Sequence, residues 1–367
     1  LTALAGYSYQ DIEDGNLFFE TGDFISDDVT FNSLGFSQDI ANARGTFNSG
    51  RNSYKVIGFF GRVNLNYDDT YFLMASVRQE GSTRFGEDNR WGLFPAVSAG
   101  VTLSNLFDVS GIDNLKLRVG YGETGSLPPS NGLSQLRFTR SGSFFYDGGF
   151  VPAFAPNQNA NPELKWETKG EFNAGLDFAL LDYRLTGSID YYTRRTRDLI
   201  FNVNVPVPPN QAQNTWANVE DIELINNGLE LSIGYLMDKG EKFSWEPRVV
   251  FSTFNTELEL QDVGEDAKFK FFTSGGEFFD FATSPGAPGL NNNPTMVVRA
   301  NEEIGQIYGP IFERVGENGQ FVFRDLNGDG TTDANGDGIT DEEDKTTIGN
   351  GLPNFSLGFN STFKFGN

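Results

Sequence analysis

The residues best suited to chemistry lie between Asp325 and Asp344, which read DLNGDGTTDANGDGITDEED. Oxygen ligands at alternate positions, followed by a glycine for a sharp turn, are what a Ca²⁺ loop requires. The second half fits that template best. Asp333, Asn335 and Asp337 take the first, third and fifth places, Gly338 the sixth, the Ile339 carbonyl the seventh, Asp341 the ninth and Asp344 the twelfth. An EF-hand prefers Glu at the twelfth place, and Asp is a shorter substitute. The first half offers Asp325, Asn327, Asp329, Gly330 and Asp333, but its twelfth place is Gly336, so a partial site sharing Asp333 is expected. The competing reading is a solvated Asn/Asp/Gly turn. On the calcium reading the ion is structural and pins a loop that otherwise repels itself.

Little else in the chain points to bond-making. Histidine and cysteine are both absent, which removes the Ser-His-Asp and Cys-His arrangements, disulfides, thiolate metal sites and the commonest zinc and haem ligands. Gly120, Gly122 and Gly125 lack the spacing and the following helix of a phosphate loop. Glu342 and Glu343 read as solvated or calcium-adjacent carboxylates rather than an acid/base pair. The formal charge is -23, from 27 basic and 50 acidic residues, so nucleic acid phosphates would be repelled. The chain is therefore expected not to be an enzyme and not to bind nucleic acid.

The elements that must position the acidic loop are strands. Ile57, Phe59, Gly61, Val63, Leu65 and Tyr67 alternate with Gly58, Phe60, Arg62, Asn64 and Asn66; Asp68-Asp69-Thr70 turns the chain, and alternation resumes from Tyr71 to Arg78. Further period-two runs cover Ala96–Leu103, Leu115–Tyr121, Trp166–Leu180, Leu185–Tyr192, Leu229–Tyr235, Phe243–Phe251 and Phe355–Lys364. With a weak run at the start, this makes about ten strands. Abundant Gly (43) and Phe (36) suit strands and turns rather than helices.

The connections are uneven. Short ones lie near Asp69, Gly111, Asp182 and Gly240. Long ones fall at 11–52, 79–90, 122–165, 193–226 and 256–352. A regular short/long bias is the mark of an outer-membrane barrel, with short periplasmic turns and long outside loops. Charged residues in mid-strand, including Arg62 and Arg78, then face a wet lumen, and the apolar face meets lipid. Tyr67, Tyr71, Trp91, Trp166, Tyr183 and Trp245 near strand ends suit an interfacial girdle. The predicted fold is all-β: an antiparallel transmembrane β-barrel section of about ten strands with long extracellular loops. No basic start and cleavage site opens the chain, so either the protein is not exported or this is an internal piece of a longer chain.

Several segments resemble one family. GRVNLNYDDTYFLMASVRQEGSTRFGEDNRWGLFPAVSAG (61–100) and NPELKWETKGEFNAGLDFALLDYRLTGSIDYYTRRTRDLIF (161–201) look like barrel segments of SusC/RagA-type TonB-linked outer-membrane transporters. ALAGYSYQ (3–10), LKLRVGYGETG (115–125), NNGLELSIGY (226–235), IGQIYGPIFE (304–313) and DLNGDG…TTIGNGLPNFSLGFN (325–360) resemble further parts in family order. The resemblance implies a barrel of about 22 strands with a plugged lumen. It also implies import of oligomeric nutrients, glycan or peptide fragments, with a SusD-like surface lipoprotein and power drawn through TonB. The sequence departs from the pattern in having no plug domain and no TonB box, and in an acidic repeat longer than the family's single DxNxDG element. All 367 residues are accordingly read as part of one barrel domain, with 256–352 as a long extracellular insertion. Phe144, Phe145, Tyr146 and Trp216 are candidate contacts for sugar rings or peptide side chains, against the plainer reading that they pack the loops or meet the lipoprotein. Two alternatives stay open: a calcium-stabilised surface binding or adhesive β protein, and a siderophore or metal receptor of the same architecture.

Overall fold

The computed structural model describes residues 1–238, 243–260, 278–282, 296–299, 301–317, 319–332 and 340–366. Five long strands open the chain: β1 (Thr2–Glu20), β2 (Thr46–Tyr67), β3 (Tyr71–Ser82), β4 (Trp91–Thr102) and β5 (Ile112–Ser126). A separate hairpin follows, β6 (Arg137–Tyr146) and β7 (Gly149–Gln158). Next come β8 (Glu167–Leu180) and β9 (Leu185–Arg197), then a second separate ladder of β10 (Leu199–Asn204) and β11 (Asn214–Val219). β12 (Ile222–Tyr235), the short β13 (Met237–Asp238) and β14 (Phe243–Leu260) return to the main sheet. The long insertion carries β15 (Phe278–Ala282), β16 (Met296–Arg299), β17 (Glu302–Glu303), β18 (Gln306–Pro310), β19 (Phe312–Val315), β20 (Phe321–Phe323) and β21 (Lys345–Asn350). β22 (Phe355–Phe365) closes the described chain against β14.

The main sheet runs β1-β2-β3-β4-β5-β8-β9-β12-β14-β22, antiparallel throughout. Among the described residues these are ten long strands, the number that the alternation predicts. The ladder register carries one row of side chains across all of them from β2 onward. Leu65 faces Leu73, then Ala99, Val119, Ala174, Tyr191, Leu229, Thr253 and Phe355 in turn. Most of this row and its neighbours is exposed, including Leu65, Leu73, Val97, Val119, Ile189, Leu229, Val249, Leu357 and Phe359. An apolar patch spanning nine strands is far larger than a water-facing surface carries, and it is accounted for by lipid. The opposite face carries Asn64, Met74, Ser98, Gly120, Asn173, Tyr192 and Gly228, the polar and glycine-rich lining of a lumen.

On that lining, charges are paired across strands. Arg118 donates to Asp177 through Nε and Nη2 (2.7 and 2.8 Å) and to Asp190 (2.9 Å), and Arg194 donates to Glu171 through Nε at 2.8 Å. The bidentate Arg118–Asp177 pair and the Arg194–Glu171 pair keep charge in mid-strand without stranding it. At the short-turn end, Tyr67, Tyr71 and Tyr183 are exposed, and Trp245 stacks on Phe363 at 5.8 Å. At the other end Tyr7, Phe59 and Trp91 form a second aromatic row, with centroids 5.3 and 6.2 Å apart. These rows are interfacial girdles.

Two expectations change. The stretch 11–52 is not one long connection: β1 continues to Glu20 and pairs with β2 from Thr46, so only 21–45 leaves the ladder. At about 3.3 Å per residue the 22 residues of β2 reach roughly 70 Å, far more than an apolar band of about 25 Å needs. β3 meets β2 only from Val56 onward, so the rest is a two-stranded ribbon with both faces in water, where no apolar alternation is required. The second change is Trp166, which lies just before β8 and is buried rather than in a girdle.

Candidate functional site at the long-loop end

The acidic loop is built by its own side chains. Asp325 accepts from the Gly328 and Gly330 amides (2.6 and 2.8 Å), Asn327 from the Asp329 amide (2.9 Å), and Asp329 from the Thr331 amide (2.9 Å). Gly330 sits at φ +90°, the left-handed turn that the sixth place of a calcium loop demands. Asp344 then enters from 14 residues beyond Gly330. It is 1% exposed, and its Oδ1 accepts from the Leu326 amide at 2.6 Å. Carboxylate oxygens of Asp325, Asp329 and Asp344 lie within 4.8 Å of one another. The structure thus brings Asp344 to the first half of the tandem, the half whose own twelfth place is Gly336. Asp341 stands at the return, where the Asp344 amide donates to its carbonyl at 3.2 Å. Asp333, Asn335, Asp337 and Ile339 lie outside the described residues. Three converging carboxylate oxygens plus an Asn side chain form a hard-oxygen donor set, which suits Ca²⁺.

The neighbouring loops rest on two small cores. In one, Phe85, Phe94, Leu133, Leu164 and Trp166 are buried together, with Ile200 and Trp216 packed against them. Trp166 donates from Nε1 to the Arg90 carbonyl at 3.0 Å, and its ring lies 4.8 Å from Phe85 and 5.4 Å from Phe94. In the other, Leu199, Val203 and Val219 of the β10–β11 ladder close on Ile222 and Leu258 at the ends of β12 and β14. Asn159, buried, staples the set by donating to the Ala212 carbonyl (2.6 Å) and accepting from the Gln211 and Ala212 amides. Arg84 stacks on Tyr54 at 3.9 Å and donates to Asn131 Oδ1 and the Pro128 carbonyl, both at 2.7 Å. Neither residue stands out in sequence, because a lone Asn or Arg in a loop carries no periodic signal.

Gly86 marks how closely these loops approach. A Cβ there would collide with the Pro162 carbonyl, which is backbone and cannot swing aside. Gly86→Ala is expected to cost about 1–3 kcal/mol of loop packing. Limited proteolysis of the intact receptor reads this as faster cleavage between 79 and 165. Gly15→Ala, with open space around it, is the control and leaves cleavage unchanged. Equal cleavage of the Gly86 variant and wild type would contradict the close approach.

The predicted substrate contacts fall on different ladders. Phe144, Phe145 and Tyr146 end β6 and are exposed; Phe144 meets Tyr146 edge-on at 6.4 Å, and Phe145 meets Phe150 at 5.4 Å. Trp216 is on β11, half-buried against the Trp166 core, and its carbonyl accepts from Asn161 at 2.8 Å. The hairpin tip presents a free aromatic surface. Trp216 contributes mainly to packing.

Lipid-facing strands, paired lumen charges and elaborated loops at one end define a section of an outer-membrane β-barrel. The chain belongs to the TonB-dependent receptor β-barrel family: the family model for "TonB dependent receptor-like, beta-barrel" matches residues 2–298. TonB-dependent receptor P39 of Formosa agariphila is 32% identical over 405 aligned positions, covering all of this chain and 36% of the relative. TonB-dependent receptor SusC of Bacteroides thetaiotaomicron is 30% identical, covering 76% of this chain and 27% of the relative. In structure, the RagAB peptide transporter superposes with a TM-score of 0.72 over 99% of this chain and 37% of that chain, at 20% identity, which speaks to fold. Aligned over its whole length, the chain spans about a third of the length of these curated relatives.

Proposed function

We propose that this chain supplies barrel wall and outer loops to a TonB-powered importer of oligomeric nutrients, glycan or peptide fragments, working with a SusD-like surface lipoprotein. Membership of the receptor family over residues 2–298 carries this reading. The similarity to the TonB-dependent receptor SusC and the fold shared with the RagAB peptide transporter support this reading. The band of lipid-facing side chains weighs against the alternative of a detergent-independent adhesive protein. On this reading the chain performs no bond-making. It shapes the wall and mouth through which cargo passes, and the exposed Phe144, Phe145 and Tyr146 meet cargo or lipoprotein before the lumen does.

The acidic loop is proposed to hold a structural Ca²⁺ through Asp325, Asn327, Asp329 and Asp344. The ion would supply the positive charge that lets three carboxylates converge, and the loop's own amides hold those carboxylates in place. Its role is to fix the segment between β20 and β21 at the barrel mouth.

Import is tested by growth on a panel of oligosaccharides and peptides. A deletion strain is expected to lose growth on one class, and a Phe144→Ala/Phe145→Ala/Tyr146→Ala strain to take up that cargo about tenfold more slowly at equal surface display. Undiminished growth of the deletion strain on every cargo would overturn the import reading. Normal uptake by the triple variant would remove the hairpin from the pathway.

A further inference from the structure

The lipid-facing side of the sheet does not end at the aromatic girdle. On β9 the outward residues run Leu185, Gly187, Ile189, Tyr191, Thr193 and then Arg195 and Arg197, fixed by the pairing of Tyr191 with Ala174 and Arg195 with Gly170. At about 2.5 Å of height per residue for a strand tilted near 40°, Arg195 stands roughly 25 Å above Leu185, at the top of the apolar band. Its neighbours on the same face are also charged. Glu223 on β12, whose side chain is 11% exposed, accepts from Arg197 Nε at 2.9 Å and from Arg195 Nη1 at 3.1 Å, and Glu259 on β14 lies 3.4 Å from Arg195. One largely buried carboxylate thus braces two guanidinium groups side by side. Nη1 and Nη2 of Arg197, and Nε and Nη2 of Arg195, have no acceptor among the described residues.

The arrangement at this height recurs elsewhere on the wall. Tyr121 donates to Glu123 at 2.6 Å, and Tyr9 donates to Asp11 at 3.3 Å; in each case a tyrosine at the edge of the band reaches a carboxylate two residues further from the membrane. Asp11 in turn pairs with Lys55 at 3.4 Å. Charged side chains on the outward face, directly continuous with the lipid-contacting band, lie where lipid headgroups lie.

We infer that Arg195 and Arg197, braced by Glu223, bind the phosphate of a phosphorylated glycolipid in the outer leaflet. The planar donors left over on each guanidinium match the oxygens of a phosphate, and the planar fork gives Arg an advantage over Lys there. Position argues for a lipid source: the pair opens outward at the membrane surface, not into the lumen, where cargo passes. Glu259, 3.4 Å from Arg195, competes with the phosphate for that guanidinium.

The test uses the full-length receptor, purified in detergent and exchanged into monophosphoryl lipid A, its dephosphorylated form, or inorganic phosphate, with retained lipid counted by native mass spectrometry. Wild type is expected to retain monophosphoryl lipid A at least about fivefold more than the dephosphorylated lipid. Arg195→Gln/Arg197→Gln is expected to abolish that preference, and millimolar inorganic phosphate leaves wild-type retention unchanged. Equal retention of both lipids by wild type, or an undiminished preference in the variant, overturns the inference; displacement by inorganic phosphate identifies a free-anion site and overturns the lipid assignment. Assembly is checked by the heat-dependent electrophoretic shift of the barrel. Where the double variant does not assemble, Arg197→Lys carries the test: it keeps the charge and loses the fork, so it retains less monophosphoryl lipid A, and full retention would overturn the inference.

Discussion

Asp344→Asn is expected to lower the Ca²⁺ affinity of the full-length receptor by at least about tenfold. The residue is buried, is held by the Leu326 amide, and faces Asp325 and Asp329 within 4.8 Å. Asparagine keeps the size but removes one carboxylate oxygen and the negative charge. Isothermal titration of calcium into chelator-stripped receptor measures the loss. The same experiment separates the two registers of the tandem. With Asp344 serving the first loop, Asp325→Asn reproduces the loss. With Asp344 serving as the twelfth place of the second loop, Asp325→Asn leaves that affinity intact and Asp337→Asn removes it. Chelation of wild type is expected to expose the segment before β21 to protease, because three converging carboxylates repel once the cation leaves. Identical titrations for wild type and Asp344→Asn would rule out a calcium ion at this place.

Trp166→Ala is the second large effect. The indole is buried, contacts Phe85 and Phe94, and donates to the Arg90 carbonyl. Truncating a buried Trp costs about 3–5 kcal/mol. The barrel strands are held by long ladders that do not need this residue, so the cost falls on the loop core and not on the whole sheet. A locally open state should therefore rise in population by about two to nearly four orders of magnitude. Amide exchange at Ser82 and Lys165 reads it directly: Ser82 donates to the Arg90 carbonyl at 3.0 Å, and Lys165 donates to Asn218 Oδ1 at 2.9 Å. Both should exchange at least about a hundredfold faster, while Val119 in mid-sheet does not change. Unaltered exchange at Ser82 and Lys165 would show that the core does not depend on the tryptophan.

These two residues also show where sequence reading stops. The alternation from Ile57 to Tyr67 and from Leu185 to Tyr192 determined the strands, their inner and outer faces and the short turns, because one face must meet lipid and the other water. Glycine and oxygen spacing likewise marked the acidic loop, since its turn is made by residues adjacent in the chain. Those readings depend on local geometry. The ribbon of β1 and β2 beyond Val56 was not legible, because a ladder with both faces in water imposes no pattern on its side chains. Trp166 continues the alternation of β8 in sequence, yet the chain leaves the ladder one residue before Glu167 and buries the indole among residues of its own connection and of two others. Asp344 fits one loop by counting, while the structure brings its carboxylate to Asp325 and Asp329. Counting assumes an uninterrupted loop, and only the folded return between β20 and β21 decides which carboxylates converge.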